Sequence, residues 1–267
     1  MKPKQKTKAL QPNEKISFTA HLEELRKRLV ITLSSVGLGF ILCYGFSEQI
    51  LTFLRHPLKS DLIFIAPTEA LFVNLKVSLF AAVFLCSPII LHQMWRFVAP
   101  GLVEKERKFF LPVLFSSTFF FLLGGAFAYL LLLPISLQFL LGYGSKNLEP
   151  MITVSSYLSF CSKLILACGA IFQTPIVIYF LARLDLVHSR AMGHSRHYAI
   201  LFSFVMAAIL TPPDFFTQLL LALPLMGIYE LSILIVKMVE RRKGKIPEEE
   251  AEQVEENIEE EVLKEEE

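Results

Sequence analysis

FFLPVLFSSTFFFLLGGAFAYLLLLPISLQF, residues 109–139, runs for 31 positions without a charged side chain. As a helix rising about 1.5 Å per residue it would be roughly 46 Å long, against a bilayer core of about 30 Å. It must tilt, kink at Pro134 or emerge as an external helix. Emergence past Pro134 is preferred, because Gly142 and Gly144 then supply a stop. Two uncharged stretches precede it, Leu29–Phe46 and Val77–Met94, and three follow, Leu164–Leu181, Tyr198–Leu210 and Phe215–Tyr229. The first two reach the roughly 18 residues that read cleanly as a span, with His92 the one blemish in the second. The last two are short, about 20 and 23 Å as helices, and only Thr211-Pro212-Pro213-Asp214 separates them.

Basic residues sort the connections into two sets. Lys and Arg number eight before Leu29, four in 95–108, three in 183–197 and five in 237–245. The other gaps and segment edges hold only Arg55, Lys59, Lys76, Lys146 and Lys163. Cytoplasmic loops carry the excess of Lys and Arg, so both termini are expected in the cytoplasm. The pattern predicts an all-α, polytopic membrane protein of six transmembrane helices with two short C-terminal spans. Composition agrees: 54% of residues are hydrophobic, 24 are Phe and only 19% are charged. A soluble domain has no means of burying six such stretches joined by short loops. The net charge of +1 hides two opposed parts. Residues 1–247 hold 25 basic and 13 acidic side chains, a net of +12, and residues 248–267 hold twelve Glu and one Lys, a net of −11. Three regions are expected: a flexible basic N-terminus over 1–16, a membrane domain over 17–240, and a basic-then-acidic cytoplasmic tail over 241–267 without fixed structure.

The four cysteines, Cys43, Cys86, Cys161 and Cys168, lie in apolar segments without CxxC spacing and read as small packing residues. The Lys-rich N-terminus lacks a small-residue cleavage site, so the first stretch reads as a retained span. Ahead of it, Phe18, Leu22, Leu25 and Leu29 recur at helical spacing, with Glu23–Lys27 and Glu24–Arg28 as i,i+4 pairs in the favourable orientation. The 47–76 connection is long enough to carry short structure of its own and contains Pro57 and Pro67.

Polar groups within the apolar stretches are candidates for function. They are Lys163, near an outer end where it can snorkel; Gln173, deep in the fourth stretch; and Glu230, late in the sixth helix. No HExxH, GxSxG, Walker or Rossmann pattern is present, which speaks against an enzyme and against a nucleotide or metal cofactor. His188, His194 and His197 share one loop without a carboxylate at ligand spacing and read as solvated basic surface. Glu24, Glu104 and Glu106 stand among many Lys and Arg on the predicted cytoplasmic side. They are either charge-balanced surface or a docking site for incoming guanidinium groups, which carboxylates bind bidentately and prefer to ammonium.

The stretch His21-Leu22-Glu23-Glu24-Leu25-Arg26-Lys27-Arg28-Leu29 resembles the N-terminal signature of the TatC family, the receptor subunit of the twin-arginine protein translocase. Residues 87–102, SPIILHQMWRFVAPGL, resemble that family's second span and following loop, and Glu104-Lys105-Glu106-Arg107-Lys108 its charged continuation. Thr211-Pro212-Pro213-Asp214 with Gln218 resembles the turn between its spans five and six, and the likeness covers about 16–240 in matching order.

The resemblance implies a glove-like bundle whose Glu24 and Glu106 engage the twin-arginine motif of a folded precursor's signal peptide. Arg26, Glu104, Phe97 and Pro100 would belong to that patch. Pro57 and Pro67 would hold an outer cap, Tyr129 would help span three meet signal peptide or partner, and Asp214 would sit at the outer hairpin. It also implies TatA- and TatB-type single-span partners, self-association in a larger complex, no nucleic acid, the proton-motive force as driver and the bacterial inner membrane as location. Many family members carry Glu where this chain has Gln173, which cannot ionise, so a polar contact with a partner helix is expected there instead. An ion-coupled small-solute transporter is the competing reading. It would want charged midplane groups and an internal repeat, neither of which is evident.

Overall fold

The computed structural model describes residues 18–58, 61–98, 110–142, 151–211 and 214–242, almost all of them helical. Helix α1 (Phe18–Tyr44) leads into a short α2 (Ser47–Arg55), a two-residue strand β1 (Leu62–Ile63), and α3 (Pro67–Leu85) with α4 (Ser87–Val98). Next come α5 (Phe110–Phe127), a π-helical turn over Ala128–Leu132 and α6 (Leu133–Gly142). Strand β2 (Ile152–Thr153) pairs parallel with β1 and precedes α7 (Val154–Ile171) and α8 (Thr174–Arg183). The short α9 (Ser189–His194), then α10 (Arg196–Leu210) and α11 (Phe215–Arg242) complete the described chain.

Five segments are long and apolar enough to cross a membrane: Leu22–Tyr44, Pro67–Leu85, Leu111–Gly142, Val154–Arg183 and Phe215–Arg241. Arg196–Leu210 is a shorter apolar helix. The molecule is thus an all-α, polytopic membrane protein. Its successive long segments run alternately between a basic end, where α1 begins and α4, α8 and α11 finish, and a cap end bearing α2 and the strands. Helix α1 packs on α3 and α4, whereas α10 and α11 pack on one another and on α8 and α7. The central core joins Leu54 of α2, Val77 of α3, Leu132 and Leu133, Leu158 and Leu164 of α7, and Leu221 of α11. Lipid tails are as apolar as these side chains, so close backbone approach supplies much of the cohesion. A Cβ on Gly124 would stand 2.6 Å from the Cys168 carbonyl oxygen, which is why α5 carries glycine where α7 crosses it.

Several sequence expectations require correction. The second stretch, Val77–Met94, straddles a break: α3 starts at Pro67, and the chain restarts as α4 after Cys86. Lys76 made the sequence reading start too late; its ammonium donates to Ser155 Oγ at 3.0 Å, so it is held within the helix rather than ending it. Pro67 opens α3, where a missing N–H costs no helical bond, so it is the start of a helix and not part of a loop. The long 47–76 connection does carry short structure of its own in α2 and β1. The third stretch passes through Pro134 without breaking. The Leu133 N–H reaches back to the Ala128 carbonyl, widening one turn ahead of the proline that has no N–H to give. The expected pair of short C-terminal spans is half right: α10 has 15 residues, but α11 has 28. Glu230 had marked an end there, yet the helix continues past it, and the carboxylate is paired with Arg196 at 2.9 Å. The fourth stretch is two helices, broken at Phe172-Gln173 ahead of Pro175, which has no N–H to give the Ile171 carbonyl and whose ring crowds it.

Candidate functional site

Where α1 enters the bundle, its second and third turns face the end of α4 across a groove of about 500 Å³. Glu23, Glu24, Lys27, Arg28 and Ile31 line one wall, Gln93 and Arg96 the other. The i,i+4 spacing puts Glu24 and Arg28 on one face of α1, and the Arg28 guanidinium is paired with a Glu24 carboxylate oxygen. Neither is freely solvated: the side chains are 27% and 14% exposed. Arg28 also donates to Gln93 Oε1 at a long 3.5 Å, while its Nε is buried without an acceptor. Among the described residues, three cations thus line the groove against two carboxylates.

Helix α4 presents Gln93 and Arg96 to this groove because its other face is pinned. Leu91 and Trp95, four residues apart and buried, pack with Val113, Phe121 and Ile176. The Trp95 indole N–H donates to Ser117 Oγ at 2.7 Å, and its ring meets Phe180 edge-on at 5.2 Å. Gln173 caps the break between α7 and α8 and is 8% exposed. Its Nε2 donates to the Ser117 carbonyl at 2.8 Å, leaving Oε1 buried and unpartnered. Trp95, Ser117 and Gln173 form one buried polar thread through α4, α5 and α8.

The remaining predicted residues fall in three other places. Arg26 is exposed on α1 and outside the groove lining, and Phe97 is half-buried on the last turn of α4. Pro100, Glu104 and Glu106 lie outside the described residues. At the cap end, Tyr129 donates to the Phe53 carbonyl at 2.7 Å and stacks on the Phe53 ring at 4.6 Å, while Tyr157 donates to the Leu54 carbonyl at 2.7 Å. Pro57 sits half-buried in the turn after α2. Glu69 joins the start of α3 to that of α7, accepting from the Ile65 and Ser155 amides at 2.9 and 3.0 Å. At the hairpin, Asp214 caps α11 by accepting the Thr217 amide at 2.7 Å together with its hydroxyl. Gln218 ties the hairpin by donating to the Phe204 carbonyl at 3.1 Å.

The sequence reading missed Gln93 and the Ser117–Trp95 bond; a lone Gln beside His92 and a Ser in a Phe-rich run carry no periodic signal. At the basic end, Ser189 donates its amide at 2.9 Å and its hydroxyl to Glu240, which fastens the α8–α9 connection to α11. Asp185 adopts a left-handed φ of 58° in the turn that ends α8. No cluster of three or more His, Cys, Asp or Glu suited to a metal occurs among the described residues.

Comparison with known proteins places this architecture. Residues 20–224 match the profile of the family described as Sec-independent protein translocase protein (TatC). A Sec-independent protein translocase protein TatC from Desulforapulum autotrophicum is 42% identical over 245 residues, covering 90% of this chain and 91% of its own. Its counterpart from Aquifex aeolicus is 40% identical over 236 residues, covering 86% and 98%. A crystal structure of the twin-arginine translocase receptor TatC superposes with a TM-score of 0.75 at 38% identity, covering 82% of this chain and 99% of that one.

Proposed function

Because the chain belongs to the TatC family, we propose that it works as the receptor subunit of the twin-arginine protein translocase, taking the signal peptides of folded precursors into the groove between α1 and α4. The single observation that supports this use of the groove is Glu24, a partly shielded carboxylate already holding a guanidinium, with open space beside it. A carboxylate in that setting favours the planar, two-pronged arginine over the point charge of lysine. Glu106 and Glu104, in the segment that follows α4, would add carboxylates to those of Glu23 and Glu24 for the second of two adjacent arginines.

The basic end then faces the cytoplasm of the bacterial inner membrane, as the excess of Lys and Arg favours, and both termini lie on that side. The apolar outer faces of α1 and α10, rich in exposed large side chains such as Leu38, Ile41, Leu201 and Phe202, offer surface for TatA- and TatB-type single-span partners. The family likeness implies the proton-motive force as the driver of transport, in keeping with a sequence that carries no nucleotide motif. The transporter alternative falls away, since the relatives are translocase proteins and the structural neighbour a translocase receptor.

Photocrosslinking from positions beside Glu24, in membranes, tests the reading. A signal peptide bearing Arg-Arg should label strongly, and labelling should fall with a Lys-Lys peptide or with Glu24→Gln. Equal labelling by both peptides would return Glu24 to ordinary surface charge.

A further inference from the structure

Among the described residues the groove presents a physical difficulty as a site for two arginines: three of the lining side chains, Lys27, Arg28 and Arg96, are already cationic, against two carboxylates. A dication entering it unchanged would add like charge to an excess of like charge. The arrangement around Arg28 removes the difficulty for the arginine that meets Glu24. Its guanidinium holds Glu24 from within the same helix, and it is the more deeply shielded partner, at 14% exposure. Yet it is poorly satisfied, with a 3.5 Å bond to Gln93 and a buried Nε that has no acceptor. A buried donor left unpaired costs free energy, so this guanidinium is bound to its carboxylate but badly housed.

We propose that Arg28 is a built-in occupant of the receptor site: it fills the Glu24 subsite while the groove is empty, and an arginine of the signal peptide binds by exchanging with it. The proposal rests on the reading of Glu24 as the arginine acceptor. Exchange replaces one guanidinium with another at the carboxylate, conserves charge there, and frees Arg28 to swing toward water or toward backbone carbonyls of the peptide. An entering lysine must evict a two-pronged donor while offering a single point charge in return. Arg28 therefore sets a threshold that every ligand has to exceed, and only arginine exceeds it comfortably. Competition of this kind weakens all ligands by the same factor, so Arg28 governs which peptides bind measurably and leaves the Arg-to-Lys affinity ratio to Glu24.

The test is binding of fluorescent Arg-Arg and Lys-Lys signal peptides to the full-length protein in lipid nanodiscs, for the wild type and for Arg28→Gln, Arg28→Lys and Glu24→Gln. Arg28→Gln is expected to tighten both peptides by a similar factor of about two- to fivefold, the worth of one partly exposed ion pair. Arg28→Lys, which can still pair with Glu24 and keeps the charge, should tighten them less. Weaker or unchanged Arg-Arg binding in both Arg28 variants, with binding still lost in Glu24→Gln, would overturn the exchange alone. Arg-Arg binding indifferent to Glu24→Gln would overturn the receptor reading of Glu24 and the exchange with it.

Discussion

Replacing Gln173 with leucine should leave the protein as stable as before or make it more so, although the side chain is buried and hydrogen-bonded. Gln173 gives one bond, from Nε2 to the Ser117 carbonyl at 2.8 Å. A neutral bond of that kind is worth about 0.5–1.5 kcal/mol net. The Ser117 carbonyl lies within α5, where the helical ladder supplies its N–H, so it is not stranded by the change. Against that loss stands Oε1, buried without a partner, whose removal recovers about 1–3 kcal/mol. Leucine exceeds glutamine by less than one methylene in volume, a change that repacking usually absorbs for under about 1.5 kcal/mol. The balance of the two hydrogen-bonding terms runs from about −0.5 to about +2.5 kcal/mol, centred on about 1 kcal/mol of stabilisation. At about 2–4 °C per kcal/mol the melting temperature should hold or rise by a few degrees.

The chain has one tryptophan, Trp95, donating to the same Ser117, so its emission during thermal unfolding in detergent reads this thread directly. A fall of several degrees would refute the reasoning, because it would mean that Oε1 is satisfied and that the amide is structural glue. Transport by the same variant separates the remaining roles. Transport lost at unchanged stability would give the amide a role beyond the fold; full transport counts against the expected contact with a partner helix.

Two glycines should respond to alanine with opposite signs. Gly124→Ala puts a Cβ 2.6 Å from a carbonyl oxygen and 2.8 Å from Phe172 Cγ, which should cost about 1–3 kcal/mol despite alanine's better helix propensity. Gly37→Ala meets nothing within 4 Å and should gain up to about 1 kcal/mol, both read as the folded fraction against denaturant. Asp214→Ala strips the cap from α11, leaving the Thr217 amide and hydroxyl without their acceptor, and should cost about 0.5–2 kcal/mol. Faster proteolysis at the 211–214 turn checks it, and an unchanged cleavage rate would show that the cap is dispensable.

Uncharged length made the membrane class and most of the helices legible in the sequence, since no other fold accommodates such runs. Helix boundaries were less legible because charge was taken as a terminus. Lys76 and Glu230 both lie inside helices, each satisfied by a partner 79 or 34 residues away, Ser155 and Arg196. Such pairings are tertiary facts with no local signature. The break at Gln173 had a signal in Pro175, two residues on, whereas the π turn ahead of Pro134 is a response of the backbone that composition does not announce. Within the candidate site, Glu24 was legible from its i,i+4 partner. Gln93, the neighbour of Arg28 across the groove, was not, because it lies 65 residues further along the chain.

Helix α4 connects the two polar places of the molecule, and the geometry determines what kind of connection it is. Gln93 and Trp95 are two residues apart and so point to nearly opposite faces, one to the groove and one to the core. Any roll of α4 that followed an incoming peptide would have to break the Trp95–Ser117 bond and drag a buried indole past Phe180. Close-packed interiors resist such continuous deformation. Helix α4 is therefore a fixed wall, and accommodation of a ligand falls to α1, whose span is only 11% buried and whose Arg28 is the ill-satisfied group. A receptor built this way adapts at its exposed first helix while the wall opposite holds its register.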